Sequence, residues 1–308
     1  YRNEAFVELF PDARAGSVHL SYAIEPEPLD TGGAIGFAAR QAGIDEPFVV
    51  ANGDVLTDLD VSAMIAFHRS SSAKATIALA RVSDPSAFGL VHADDHGRVI
   101  EFTEKPPAGG DIRPGWVNAG TYVLDPAILD HIPVRRRVSV EREVFPKLVA
   151  DQCLFSFASD DYWTDTGTPG QYLAAHLDLV DGRRGAPPAP NARQVGPDLW
   201  MMGEATIDGE VVGPALVGHK CHIAVGSRVQ RSVLGAGSKV DSGASVSGSV
   251  LLAGVLVHAG AVVRDSIVGP GATIGAGAVV SGLSVIGSGV HVPVAAVLDG
   301  QRVPEGAS

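Results

Sequence analysis

The chain has 308 residues, a net charge of −12, and 45% hydrophobic but only 6% aromatic residues, enough length for two cores built on small aliphatics. With 23 Lys plus Arg against 35 acids, and no basic run beyond Arg135-Arg136-Arg137, it is not built for nonspecific binding of nucleic acid or an anionic membrane. Two cysteines, Cys153 and Cys221, without metal-ligand spacing exclude a disulfide scaffold, and no run of 18 apolar residues marks a membrane span, so a reducing, cytoplasmic setting is expected.

In chain order, Glu25-Pro26-Glu27-Pro28-Leu29-Asp30-Thr31-Gly32-Gly33 forms a Gly-containing loop opening a helix through Ala42. Its first-turn N–H groups suit an anion or a base, and a simple helix start explains the same residues. Pro47 to Asp54 is an apolar run ending in Asn52-Gly53-Asp54, read as a buried parallel strand with Asp54 at its C-terminal end, where ligands of open α/β sheets bind. Val61 to Ser70 has helical spacing, Ala75 to Val82 reads as a strand, and Val99 to Phe102 leads into Thr103-Glu104-Lys105-Pro106. Trp116 to Leu124, with Asn118-Ala119-Gly120 inside it, reads as a strand and Ser139 to Ala150 as a helix. These elements predict a mixed α/β domain over residues 1–180, followed by a stiff Gly- and Pro-rich linker at 181–198.

Residues 199–300 repeat with a period of 17. Stepping from Val217 reaches Leu234, Leu251, Val268 and Val285; from Ile223, Val240, Val257, Ile274 and His291; from Val229, Val246, Val263, Val280 and Val297. Only His291 among these is not aliphatic. Small residues fill the corners, so each unit is a triangular coil that buries its aliphatics only when stacked into a parallel β-helix. Stepping back 17 gives an atypical first coil at Trp200, Thr206 and Val212, with Trp200 as a cap. Val217-Gly218, Leu234-Gly235 and Val268-Gly269 resemble the pairs of the hexapeptide-repeat left-handed β-helix.

Asp54 and Asp165, the latter in Trp163-Thr164-Asp165-Thr166-Gly167-Thr168, are placed to hold Mg²⁺ against phosphate oxygens, or are a helix cap and a turn residue. Glu104 and Lys105 pair an acceptor for sugar hydroxyls with a cation for phosphate, or form a loop ion pair. In their order, these motifs resemble the sugar-phosphate nucleotidyltransferases, closest to mannose-1-phosphate guanylyltransferase-like members with a C-terminal left-handed β-helix. The resemblance covers about the whole chain. It implies a Rossmann-like nucleotidyltransferase domain with a mixed sheet, and Mg²⁺-dependent attack of a sugar 1-phosphate on a nucleoside triphosphate, with GTP and mannose 1-phosphate favoured. It assigns Asp54, Lys105 and Asp165 to catalysis, with Asp54 and Asp165 as metal ligands. Leu29, Thr31, Gly32, Gly33, Asn52, Gly53, Glu104, Asn118 and Gly120 are assigned to substrate.

Asp30 departs from the glycine usual at its position in the base loop. The family's N-terminal Gly-rich phosphate loop does not precede Tyr1, so the chain is expected to be incomplete or to bind nucleotide sugar without turnover, as a regulatory or assembly subunit. Homo-oligomers through the β-helix are expected. A hexapeptide-repeat acyltransferase is the other enzymatic reading, with His219, His222, His258 and His291 as candidate bases.

Overall fold

In the globular part, apolar β-branched runs meet across one sheet. The structure is a computed structural model and describes residues 3–106 and 113–306. Its strands are β1 (Phe48–Ala51), β2 (Ala75–Val82), β3 (Gly89–Ala93), β4 (Val99–Glu104), β5 (Gly115–Leu124) and β6 (Leu154–Ala158), in the order β4-β3-β5-β2-β6 with β1 also on β5. The pairs of β5 with β1 and with β2 are antiparallel, and only β2–β6 is parallel. The expected buried parallel strand before Asp54 is therefore antiparallel, with Phe48 and Val50 half-buried and Val49 and Ala51 exposed. A continuous apolar run is not enough to assign parallel pairing, because one face of β1 is left open.

Helix α2 (Asp30–Gln41) follows helix α1 (Asn3–Leu9), and helix α3 (Val61–Ser70) is N-capped by Asp60, whose carboxylate accepts the Ala63 N–H. Asp54 is therefore not that cap. The helix expected from Ser139 begins as a π-helical turn, Val140–Val144, before α4 (Phe145–Ala150), with the Ser139 hydroxyl capping it at Arg142 N–H. Tyr122, Phe145, Leu148 and Leu154 fill the core beneath.

The C-terminal part is a parallel β-helix of six coils with three strand faces. Inward columns run Met201, Val217, Leu234, Leu251, Val268, Ile286, and Ile207, Ile223, Val240, Val257, Ile274, Val292. The period of 17 thus holds only from Val217 to Val280. Gly282 and Leu283, at φ 64° and 62°, take an extra residue into one corner. Beyond it, Ile286 and Val292 point inward at 1% exposure, whereas His291 is exposed and Val297 is 71% exposed. In the first coil Met201 and Ile207 face the core in place of Trp200 and Thr206.

Trp200 instead lies on the outer side of one face with Leu216, Val233, Val250, Ile267 and Val285, under helix α5 (Pro169–Val180). That face carries apolar residues in adjacent pairs such as Val250-Leu251 and Ile267-Val268, so both of its sides must be covered. Leu173, Leu177 and Val180 do so; each contributes about 1.5–3 kcal/mol on burial. Arg231 clamps the end of α5, with Nη2 donating to Asp181 Oδ2 at 2.7 Å. Helix α5 accordingly belongs to the second of two compact units, which holds Leu56–Asp58 and Thr164–Ser308; the first reaches Val55 and resumes over Leu59–Trp163.

Candidate active site

Strand β5 breaks its register against β2 between Ile77 and Leu79, opposite Asn118-Ala119-Gly120. Gly120 takes φ 74°, and a Cβ there would lie 2.8 Å from Asn52 Nδ2. Only glycine meets both demands. The Asn118 carboxamide fixes the bulge: its Oδ1 accepts Gly120 N–H at 3.2 Å and its Nδ2 donates to the Tyr122 hydroxyl at 3.0 Å. Asn52 N–H donates to Gly120 C=O at 2.9 Å. Asn52, Asn118 and Gly120 thus meet at one point, with Gly53 and the exposed Asp54 following Asn52.

The base-loop residues are held to the π-turn. The Thr31 hydroxyl donates to Glu141 Oε2 at 2.7 Å and accepts Val140 N–H at 3.0 Å. Ser139 Oγ donates to the same Glu141 oxygen at 2.8 Å. Gly32 and Gly33 N–H both donate to Val138 C=O, at 2.8 and 3.1 Å, and Thr31 N–H to Asp30 Oδ1 at 2.8 Å. The first-turn N–H groups expected to meet an anion are therefore engaged at these three positions. Gly32 and Gly33 are required by close packing: a Cβ on Gly33 would lie 2.7 Å from Leu29 Cβ and 2.9 Å from Arg136 C=O. Leu29 is buried at 4% exposure. Asp30 adopts φ 65°, the left-handed conformation that glycine takes freely, so the substitution keeps the loop's backbone and adds a carboxylate.

Glu104 lies on β4 opposite Gly89, and its charge and that of Glu141 both act on Tyr122. Burial, and next the Glu141 charge, push the Glu104 carboxyl above its ordinary range, while Lys105 and Arg142 act in the opposite sense. Burial likewise drives the Tyr122 phenol far above its ordinary value, leaving it a neutral donor and acceptor. Glu104 and Lys105 form no ion pair with one another among the described residues. Lys105 is at φ 48° with its N–H on Phe88 C=O at 3.1 Å. Glu141 was missed in the sequence because Val140-Glu141-Arg142-Glu143 reads as an ordinary helix surface; the Ser139 cap was its one signal. Glu25 was also passed over: its Oε2 accepts Leu29 N–H at 3.4 Å, and its Oε1 is buried without a partner among the described residues.

Trp163 Nε1 donates to Ala119 C=O at 2.9 Å and its ring stands edge-on to Phe88, tying the start of the Trp-Thr-Asp-Thr-Gly motif to β5. Asp165 lies in the second unit, where its Oδ1 accepts Gly167 N–H at 2.7 Å and Thr168 caps α5. The turn reading of Asp165 thus holds, and the turn orients the carboxylate. Asp54 and Asp165 offer hard oxygen donors only. No group of three His, Cys, Asp or Glu that could hold a metal ion converges among the described residues.

The solenoid histidines are dispersed over its coils. His222 Nε2 lies 3.7 Å from Asp208, His258 Nδ1 lies 2.9 Å from Asp241, and His291 is exposed on the last coils. No helix among the described residues is long and apolar enough to cross a membrane.

The nucleotidyl transferase family profile matches residues 1–182, and that of the GMPPB C-terminal domain matches residues 204–305. The chain is 38% identical over 249 residues to a mannose-1-phosphate guanylyltransferase of Mycobacterium tuberculosis, covering 79% of this chain and 67% of the relative. It is 30% identical over 248 residues to a probable mannose-1-phosphate guanylyltransferase 1 of Oryza sativa (78% and 68%), and 31% identical over 250 residues to mannose-1-phosphate guanylyltransferase 1 of Arabidopsis thaliana (78% and 68%). The chain belongs to the nucleotidyl transferase family.

Proposed function

We propose that the protein transfers a guanylyl group from GTP to mannose 1-phosphate, giving GDP-mannose and pyrophosphate. A phosphate oxygen of the sugar phosphate attacks the α-phosphorus, and the bond from that phosphorus to the oxygen bridging the β-phosphate breaks. The carrying observation is the hydrogen-bonded set of Asn52, Asn118, Gly120 and Tyr122, with Thr31 and Ser139 both on Glu141 Oε2. The relatives named guanylyltransferases supply the choice of base and sugar.

In this reading Glu104 and Asn118 meet sugar hydroxyls, Lys105 neutralises phosphate charge, and the loop from Leu29 to Gly33 lies against the base. Asp54 and Asp165 hold Mg²⁺, which when bound supplies positive charge against the phosphate oxygens. No covalent enzyme intermediate is needed, because positioning and charge neutralisation carry such transfers. The reading keeps 1–180 as catalytic domain, 181–198 as linker and 199–300 as a β-helix through which copies assemble, in a cytoplasmic setting consistent with two free thiols. Binding of GDP-mannose without pyrophosphate release would instead mark a regulatory or assembly subunit.

The test is pyrophosphate release with GTP and mannose 1-phosphate, with circular dichroism as the fold control. Asp54→Asn should lower turnover at least about 100-fold with an unchanged spectrum. Full activity in that variant would overturn the metal assignment, and equal turnover with UTP and glucose 1-phosphate would overturn the substrates.

A further inference from the structure

A cavity of about 620 Å³ opens beside helix α2, well inside the range of small-molecule sites. One wall is a single helix face, Leu29, Gly33, Phe37 and Arg40, and the other is Pro133 and Val134. Thr31, whose hydroxyl reaches Glu141, is two residues from Gly33 and hence about 200° around the helix. The cavity therefore opens off a different face of α2 from the one that carries Thr31.

Its lining is apolar, with Val134 67% exposed, and its charge is unusual for a chain of net −12. Arg40 donates from Nη2 to two neutral acceptors, Leu129 C=O at 2.7 Å and Ile132 C=O at 2.6 Å, so its charge meets no carboxylate there. Arg135, on the rim at φ 57°, has no carboxylate partner among the described residues. Glu27 is the one acid in the lining. The wall is also shared with the base loop: Val138 N–H donates to Leu29 C=O at 3.0 Å, and Val138 C=O accepts from Gly32 and Gly33.

We propose that this cavity is a second small-molecule site, taking an apolar ring that bears one anionic group, and that its occupancy braces the base loop through Leu29 and Gly33. The ring fills the space between Phe37 and Val134, and the anion meets Arg135 and Arg40. The bracing rests on the assignment of Leu29 to Gly33 to the base in the proposed function, whereas the site itself is read by binding alone.

The probe is 2-naphthoate, titrated calorimetrically into the full chain. Saturable one-to-one binding is expected, about fivefold tighter than for neutral 2-naphthylmethanol. It should weaken about tenfold or more in Val134→Glu, a substitution at an exposed position, and about fivefold in Arg135→Glu. Amide exchange at Gly32 and Gly33 should slow when the probe is bound. Absence of saturable binding, equal affinity in both variants, or displacement of the probe by GTP would overturn the site; unchanged exchange would overturn the bracing.

Discussion

Thr31→Val isolates what the base loop contributes to the fold. The substitution keeps the shape of the side chain and removes a hydroxyl that donates to Glu141 Oε2 at 2.7 Å and accepts Val140 N–H at 3.0 Å. A hydrogen bond to a charged group is worth about 1.5–3 kcal/mol, and stranding a buried donor costs about 1–3 kcal/mol. Val140 is fully buried, but Thr31 is exposed, so water replaces part of both interactions. Ser139 also remains on Glu141 Oε2. The net loss should be about 2–3 kcal/mol by urea unfolding at an unchanged m value, with Thr31→Ser close to wild type. Because the same bonds fix the loop, KM for the nucleotide should rise more than kcat falls. A Thr31→Val protein within about 0.5 kcal/mol of wild type would show that the hydroxyl does not hold α2 to the π-turn.

Glu104→Gln should trade function for stability. A raised folded pKa means that the folded protein holds this proton more tightly than the unfolded chain; the contribution to stability is full below the unfolded carboxylate range and is lost as pH rises through the folded value. The variant should therefore melt higher than wild type at pH 7.5, with the gain vanishing in acid, while sugar-phosphate binding weakens; a gain confined to acid would contradict the sign. At the shifted corner of the β-helix, Val292→Asp should cost several kcal/mol by thermal melt and His291→Asp less than about 0.5, and the reverse order would restore the unbroken period of 17. Leu177→Ala should cost about 2–4 kcal/mol in the second unit and raise the Mg²⁺ concentration needed for half-maximal turnover, through the helix that starts just after Asp165; an unchanged Mg²⁺ dependence would separate that aspartate from the helix packing.

The sequence made the β-helix legible because a column of inward aliphatics must recur once per coil. What it hid was a one-residue change in corner length. Val285, His291 and Val297 each sit one position before an aliphatic residue, so after the register had moved the fixed step still landed on valine twice, and only His291 betrayed the shift. The paired apolars of one face, Leu216-Val217 to Val285-Ile286, carried a second message, that something covers this face, and helix α5 does. In the globular part the motifs marked Asn52, Asn118 and Gly120, but their meeting depends on a bulge visible only as a register slip. Strand direction was illegible because the residues of β1 satisfy either pairing. Glu141 was hidden for a similar reason: it becomes a site residue only when Thr31, far away in sequence, turns a hydroxyl toward it.

In the second unit the Asp165 motif runs straight into a helix packed on the β-helix. Asp165 is followed by the turn that Gly167 closes on its carboxylate, then by Thr168 capping α5. Helix α5 is fixed at one end by Arg231 on Asp181 and along its length by Leu173 and Leu177 on the solenoid face. Leu56–Asp58 cluster with this unit too, and Arg184 pairs with Asp58. The carboxylate assigned to the metal is therefore oriented by a stack of coils whose inter-coil hydrogen bonds and inward aliphatics resist local opening. A site that must hold a hard cation at defined oxygen positions gains from such a rigid support. The β-helix thus fixes the helix and the turn that carry Asp165 within the second unit.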